Sequence, residues 1–492
     1  MMVHRPYEDE SSIVPSMRRR LARGSSIYGI ANFALRALGF ILFAIYSRYL
    51  PPKDYGVVSI VESVGVVVGI LGGLALETGS RRLYFHFAGD AENLDSYIGT
   101  VKYLAIAAAG VALIVSFVLG PFATSLIAPS WRVHFFPYLA LPIFTAIASQ
   151  LLQCCLVIYQ CQERAFAYSG FVALQSLSSS ILTFCLVVWM RHGIMGLLIA
   201  RALGAFATLV VAIWFSKTRI HSRPRWTYAQ ETLRISVPLI PHALMAVALV
   251  VADRFILQHY RPLSEVGLYA LAYNIGMIMT LFTASLTRAW TPLFYSMLRQ
   301  GEGDRKSIAE ILTDIVIILS LVAVAGVLLA PLCIRWFFAT PYWPVAKLVP
   351  VVLGAYLCHS LFALLQLSVI QARRTPLVSI VSGVALALNI VLNLVWVPTY
   401  GMTGAAYATL AAYIVELLLI AVVAHRLLPL PRGGVRSTMA LFIFVDVLIW
   451  AGIQPQIPQL SAAFILLIFV CSLLGGIWCF QRGRQRIKQI CV

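Results

Sequence analysis

Charged side chains interrupt long apolar runs at several points of this sequence: Arg36, Glu62, Arg201, the adjacent Asp253 and Arg254, and Arg288. A charge held at the centre of a membrane helix costs about 2.5–3.5 kcal/mol on insertion scales, so each such residue needs a partner or a ligand. Arginine presents a planar fork that matches phosphate or carboxylate with two parallel hydrogen bonds. Arg36, near the middle of the first run, is therefore the leading anion-binding candidate, with Arg201, Glu62 and Arg288 as further candidates for the lining of a cavity. A competing reading has Arg36 paired with an acid such as Glu62 to hold helices together. Asp253-Arg254 ends the seventh run and reads either as an ion pair at the exterior helix end or as a gate. Asp314, Glu416 and Asp446 lie in later runs, where Glu416 and Asp446 read as packing or interfacial residues. His242 and His359 could carry protons, against the commoner role of a satisfied core histidine.

The elements that must position these residues are membrane helices. The chain is 60% hydrophobic and 11% charged, with a mean hydropathy of +0.87; soluble domains carry about 25% charged residues. Fourteen apolar segments near 20 residues are each long enough to cross a hydrocarbon core of roughly 30 Å. They are 24–47, 55–78, 97–120, 135–160, 167–190, 194–216, 235–258, 265–296, 308–330, 347–371, 376–397, 402–424, 437–453 and 460–480. Inside lipid every backbone amide must be paired within the protein, which helices achieve locally. Alternation at period two, the mark of a barrel, is absent. The expected class is an all-α integral membrane protein. Pro238 and Pro241 break the seventh run near its start and read as a hinge, or as an inert kink.

The chain also repeats itself. The stretch 48–56 (RYLPPKDYG) returns as 259–267 (HYRPLSEVG), and 192–196 (HGIMG) returns as 400–404 (YGMTG). The offsets, 211 and 208 residues, are nearly equal. Two matched halves within a membrane protein mark a transporter whose site lies between them. The expected organisation is a basic tail over 1–23, a six-helix lobe over 24–216, a polar loop over 217–233, a second six-helix lobe over 234–425, and two further helices with a basic tail over 426–492.

Orientation follows from Lys and Arg. With the N-terminal tail in the cytoplasm, the tails and the connections on that side carry 25 Lys and Arg, and the opposite loops carry 7. Both termini are therefore expected in the cytoplasm. The net charge of +18 reads as topology and attraction to anionic lipid, not nucleic-acid binding. The first 23 residues hold no short apolar stretch before a small-residue site, so they read as a tail and not a signal peptide. None of the nine cysteines forms a C-x-x-C pair, and most sit in apolar runs as small hydrophobes. There is no Gly-Lys-Ser/Thr, H-E-x-x-H, G-x-S-x-G or G-x-G-x-x-G. The exterior loops are short and hold mainly Asp54 and Glu265 as acids. No covalent chemistry, metal or cofactor is expected.

Several stretches carry a family resemblance. Residues 20–25 (RLARGS) and 49–56 resemble the start of polysaccharide flippases (O-antigen and exopolysaccharide type) of the MOP superfamily. So do 236–241 (SVPLIP) with Asp253-Arg254, 266–273 (VGLYALAY), 289–292 (AWTP), and 388–393 (LNIVLN) through 397–406 (VPTYGMTGAA). The resemblance covers nearly the whole chain. It implies two six-helix lobes around a central cavity, plus two extra helices. It also implies movement of an oligosaccharide linked to undecaprenyl diphosphate across a bacterial inner membrane, with a polysaccharide polymerase and a chain-length regulator as possible partners. Two alternatives stand beside it: a multidrug or cation exporter of the same superfamily, which would use acidic cavity residues, and a membrane polymerase or ligase, which would need acids on a larger exterior loop.

The orientation has a direct test. Single cysteines placed in the N-terminal tail should resist an impermeant thiol reagent in intact cells, while those placed in 48–54 and 259–265 should react. A tail labelled from outside would overturn the assignment.

Overall fold

The computed structural model describes residues 34–35, 37–87, 90–127, 135–162, 164–215, 224–300 and 304–428. Among these residues helices and short turns account for the chain, without strands. The helices are α1 (Ala37–Tyr46), α2 (Pro52–Gly73), α3 (Leu76–Phe87), α4 (Ala91–Ile127), α5 (Ala140–Cys161), α6 (Ala165–Thr183) and α7 (Gly193–Phe215). They continue with α8 (Trp226–Ser236), α9 (Ile240–Tyr260), α10 (Leu263–Gly276), α11 (Ile278–Gln300), α12 (Asp304–Phe337), α13 (Val349–Gln371) and α14 (Thr375–Leu427). Two compact units result: Met1–Tyr46 with Val61–Leu244, and Ser47–Ile60 with Met245–Val492. Residues 47–60, which belong to the first sequence repeat, thus group with the second unit.

Nine described helices are long and apolar enough to cross a membrane, and the bent Trp226–Tyr260 segment makes a tenth. The 53 residues of α14 would reach about 80 Å at 1.5 Å per residue, more than twice the hydrocarbon thickness. The helix is broken at Gly401, where φ is 58° and ψ −135°, so it supplies two crossings. The expected count of fourteen is not reached among the described residues, because 437–453 and 460–480 lie outside them, as does Arg36. One expectation needs correction: 217–233 is not simply a loop. Its second part forms α8, whose Ala229, Thr232 and Ser236 are buried. This helix carries little apolar length, so hydropathy alone passes over it. Its Tyr228 packs among Phe87 and Tyr97, with ring centroids 4.8 and 6.0 Å away.

Lipid offers no hydrophobic drive for helices to associate, so small residues that allow close approach do the joining. On α7 the buried side is Gly196, Ala200, Gly204, Ala205, Thr208 and Ala212, interleaved with leucines. A Cβ on Gly204 would strike Ser179 of α6. Leu203, Phe206, Val210 and Ile213 form the opposite, exposed stripe. The second part of α14 does likewise, burying Gly404, Ala405, Ala406, Ala408 and Ala412 and exposing Ile414, Leu418 and Val422.

The repeated stretches have a structural meaning. Gly56 opens α2 and Gly267 opens α10. A Cβ on Gly56 would be driven into the carbonyl oxygen of Leu263, and a Cβ on Gly267 into that of Pro52. At an offset of 211, Pro52 corresponds to Leu263 and Gly56 to Gly267, so the two copies cross reciprocally. The other repeat places Gly193 and Gly401 in the left-handed region, at φ 57° and 58°, where a side chain costs roughly 1–2 kcal/mol.

The break at Gly401 is capped from the first repeat's second copy. Arg261 donates from Nη2 to the carbonyls of Pro398 (2.9 Å) and Thr399 (2.7 Å). Glu265 Oε2 accepts the backbone N–H of Met402 at 3.0 Å. A cation thus meets the C-terminal carbonyls of one half-helix and an anion the N-terminal amides of the next, as the helix dipoles favour. In the first copy Leu50 stands where Arg261 stands in the second. Its carbonyl accepts the Tyr342 hydroxyl at 2.8 Å. Burial, with Tyr55 and Asp54 nearby, pushes the Tyr342 hydroxyl well above tyrosine's usual range, which keeps it a donor.

Replacing Gly267 by Ala should force the crossing apart and cost about 1–3 kcal/mol of stability, the usual range for overpacking. Gly383→Ala, where a Cβ meets nothing within 4 Å, should cost nothing measurable. Thermal unfolding in detergent compares them; equal melting temperatures would refute the crossing.

Candidate functional site

The first unit brings Arg201 and Glu62 together. Their side chains form an ion pair, although the residues lie 139 positions apart. Arg201 sits on the buried side of α7, flanked by Ala200 and Ala202 and one turn from Leu197 and Ala205. That side is opposite the stripe Leu203, Phe206, Val210 and Ile213. Yet the pair is 38% and 37% exposed. The pair thus lies on the side of α7 turned away from the apolar stripe and is partly accessible. Beside it, Tyr46 donates a hydrogen bond to the Ser180 carbonyl at 3.0 Å. Glu62 is thus paired with Arg201 in the structure, where the sequence offered Arg36.

The other cavity candidate, Arg288, belongs to the second unit. It lies on α11 and is exposed, next to exposed Ser285 and Ala289. The opposite side of α11 buries Met279, Thr283, Trp290 and Phe294. That exposed face is mixed, since Ile278 and Phe282 are exposed on it as well. On α10, whose neighbours Tyr273 and Ile275 are buried, Asn274 is exposed and donates to the Tyr55 hydroxyl at 2.5 Å.

Asp253 is not at a helix end. Helix α9 runs on to Tyr260, which leaves Asp253 about two turns inside and 0% exposed. The Tyr269 hydroxyl donates to its carboxylate, and Thr409 Oγ1 donates to the same oxygen at 3.1 Å. Asn389 donates to Thr409 at 3.1 Å, and Asn393 donates to the Asn389 side chain at 3.2 Å. Arg254 follows on the next face, half-buried. The exterior-end ion pair therefore gives way to a buried network across α9, α10 and both parts of α14. Among the described residues, Asp253 Oδ1 and Asn393 Oδ1 are buried acceptors with no hydrogen-bond donor. This oxygen set has the hardness that a small cation takes. No cluster of three or more His, Cys, Asp or Glu occurs among the described residues.

Pro238 lies in a short 3-10 turn, Val237–Leu239, between α8 and α9, and Pro241 follows in the first turn of α9. The segment breaks again between Met245 and Val247, beyond both prolines. Glu416, read from sequence as a packing or interfacial residue, is fully buried and hydrogen-bonded to His359 and Ser382. No spacing in the sequence signals that partnership, since the three residues come from separate helical segments. The side chain of His242 and the whole of Asp446 lie outside the described residues.

A chain of apolar spans with a broken helix capped by charge defines a multi-pass membrane protein. The similarities to known proteins agree. The structure resembles that of the lipid II flippase MurJ in an inward closed conformation, with a TM-score of 0.71 and 16% identity over 92% of this chain and 98% of that one. An inward-facing multidrug resistance MATE family transporter of the MOP superfamily gives a TM-score of 0.63 at 13% identity, over 85% of this chain and 98% of that one. At such identities the likeness is one of fold. Residues 21–298 match the family described as "Polysaccharide biosynthesis protein", so the chain belongs to that family. A curated relative, "Lsg locus putative protein 1" of Haemophilus influenzae, is 21% identical over 291 residues, covering 57% of this chain and 67% of that protein.

The Asp253 network yields a stability prediction. Tyr269→Phe withdraws a donor from a buried carboxylate and should cost about 1–3 kcal/mol. Adding Asp253→Asn should recover much of it, because the uncompensated charge is gone. Denaturant melts in detergent measure both; a Tyr269→Phe protein as stable as wild type would exclude the network.

Proposed function

We propose that this chain moves a lipid-linked oligosaccharide, carried on undecaprenyl diphosphate, from the cytoplasmic to the outer leaflet of a bacterial inner membrane. The two repeats 24–216 and 234–425 act as six-helix lobes that rock by alternating access, with both termini in the cytoplasm. The observation that carries the reading is Arg201: an arginine on the side of α7 turned away from the apolar stripe, partly accessible, and held by a single-charge partner, Glu62. A diphosphate carries more negative charge than a carboxylate and accepts the guanidinium fork in the same geometry. It can therefore displace Glu62, and the pair re-forms on release. Arg36, outside the described residues, is a further source of positive charge for the head group. Family membership supports polysaccharide precursors as the cargo, and the likeness in fold to a lipid II flippase supports a lipid-linked one.

Export of an anion from a negative interior gains about 2.3 kcal/mol per charge per 100 mV, so no nucleotide is needed. The rival cation exporter would need acids at an accessible face. Asp253 and Glu416 are both 0% exposed, and the accessible Glu62 is already neutralised by Arg201, which suits a large cation poorly. A polymerase or ligase would need exterior acids, and Glu265 is committed to capping α14.

Arg201→Gln should lower head-group affinity by about 1.5–3 kcal/mol, roughly 10- to 150-fold. Arg201→Lys should recover only part, because Lys lacks the fork. Flipping of a fluorescent undecaprenyl-diphosphate oligosaccharide in proteoliposomes, at matched protein abundance, measures both. Arg36→Ala, run in parallel, should also fail. Full activity of Arg201→Gln would end the reading.

A further inference from the structure

The second unit holds a titratable pair that anion binding does not use. His359, near the middle of α13, places Nδ1 3.1 Å from Glu416 Oε2 in the second part of α14. Ser382, in the first part of α14, donates to Glu416 Oε1 at 2.8 Å. Both carboxylate oxygens are thus engaged. Glu416 is 1% exposed while His359 is 38% exposed. The imidazole is by far the more exposed of these two groups and stands against the buried acid. Its ring is clamped by Tyr413 (centroids 4.8 Å, 30°) and Phe362 (5.7 Å, 18°). Such a sandwich fixes the ring plane, so Nδ1 stays on Glu416 and Nε2 points away.

We propose that His359 and Glu416 form a proton-binding site, and that a proton carried there is exchanged for the outgoing anionic lipid. The exchange rests on the export reading; the proton site does not. Uptake adds one proton to imidazole plus carboxylate: Nε2 takes it up and Nδ1 passes its own proton to Glu416, giving imidazole plus carboxylic acid, with an N–H bond formed at Nε2, one broken at Nδ1 and one O–H bond formed. Release reverses it, and no other bond changes. The pair moves between net charge −1 and 0, and it is the neutral pair that a low-dielectric interior tolerates best. A carboxylate kept permanently charged in a membrane core is costly; one that alternates with its histidine has a use. The surroundings do not neutralise it permanently. Tyr413 stacks on the ring, and Tyr356 and Cys358 share α13. Asp253 of α9 and Tyr273 of α10 bear electrostatically on Tyr413, which places negative or neutral groups there. Helix α11 meets this stretch through Thr283, hydrogen-bonded to Ser360, and α12 through Gly326 against Leu353. Their charged Arg288 and Asp314 lie more than a turn further along those helices.

Two measurements test it. Infrared difference spectra of the whole chain in nanodiscs, between acid and alkaline buffer, should contain a carboxylic-acid C=O band that Glu416→Gln removes. If that variant fails to accumulate, His359→Gln serves instead and should shift the band. No such band, or one unchanged by either variant, overturns the proton site. In sealed proteoliposomes, wild type should concentrate undecaprenyl-diphosphate oligosaccharide about tenfold per pH unit of gradient if one proton is exchanged per cycle, and a trapped pH dye should report proton flow in the opposite direction. Glu416→Gln should lose this gradient response. Flipping that ignores the gradient in wild type overturns the exchange. No flipping under any gradient overturns the export reading instead, with the infrared band still deciding the proton site.

Discussion

The whole molecule answers to one constraint: within a bilayer no water is available to complete a broken hydrogen-bond ladder. Wherever a helix stops short in this chain, the protein must furnish the missing partners itself. At Gly401 it does so with opposite charges from a neighbouring turn, Arg261 on the carbonyls before the break and Glu265 on the amides after it. At Leu50 a buried tyrosine, Tyr342, serves a carbonyl in the corresponding turn. The same constraint governs the charges. Arg201 is matched by Glu62, Asp253 by two hydroxyls, and Glu416 by a hydroxyl and an imidazole.

Much of this was legible in the sequence. Length and hydropathy place the spans closely, as α5, α7 and α13 illustrate, because an apolar run of membrane length has few other conformations open to it. The repeats were legible too, and Gly56, Gly267, Gly193 and Gly401 all prove to be structurally demanding. What the sequence did not disclose was pairing. Glu62 and Arg201 are 139 residues apart, and no local pattern favours Arg201 over Arg36 as a partner. Asp253 looked terminal because the polar residues after it, Gln258 and His259, end the hydropathy signal before the helix ends. Helix α8 was missed because its stabilising face is aromatic and small rather than long and apolar. His359 and Glu416 each looked unremarkable alone; only the packing of α13 on α14 gives them meaning.

The two units carry different chemistry. In the first, Arg201 is partly exposed and paired with Glu62. In the second, Asp253 and Glu416 are sealed behind hydroxyl, amide and imidazole groups.

The reciprocal contact of Gly56 and Gly267 has the symmetry of an isologous interface, in which residue i of one copy meets residue j of the other and j meets i. Here both copies lie in one chain. A two-fold dimer of half-length subunits would make the same contact between separate molecules. In this chain the seam runs between two segments of one polypeptide. Once joined, the copies are free to diverge everywhere the seam does not pass, as Leu50 and Arg261 have done. They are held alike where it does, because a side chain added on one side intrudes on the backbone of the other.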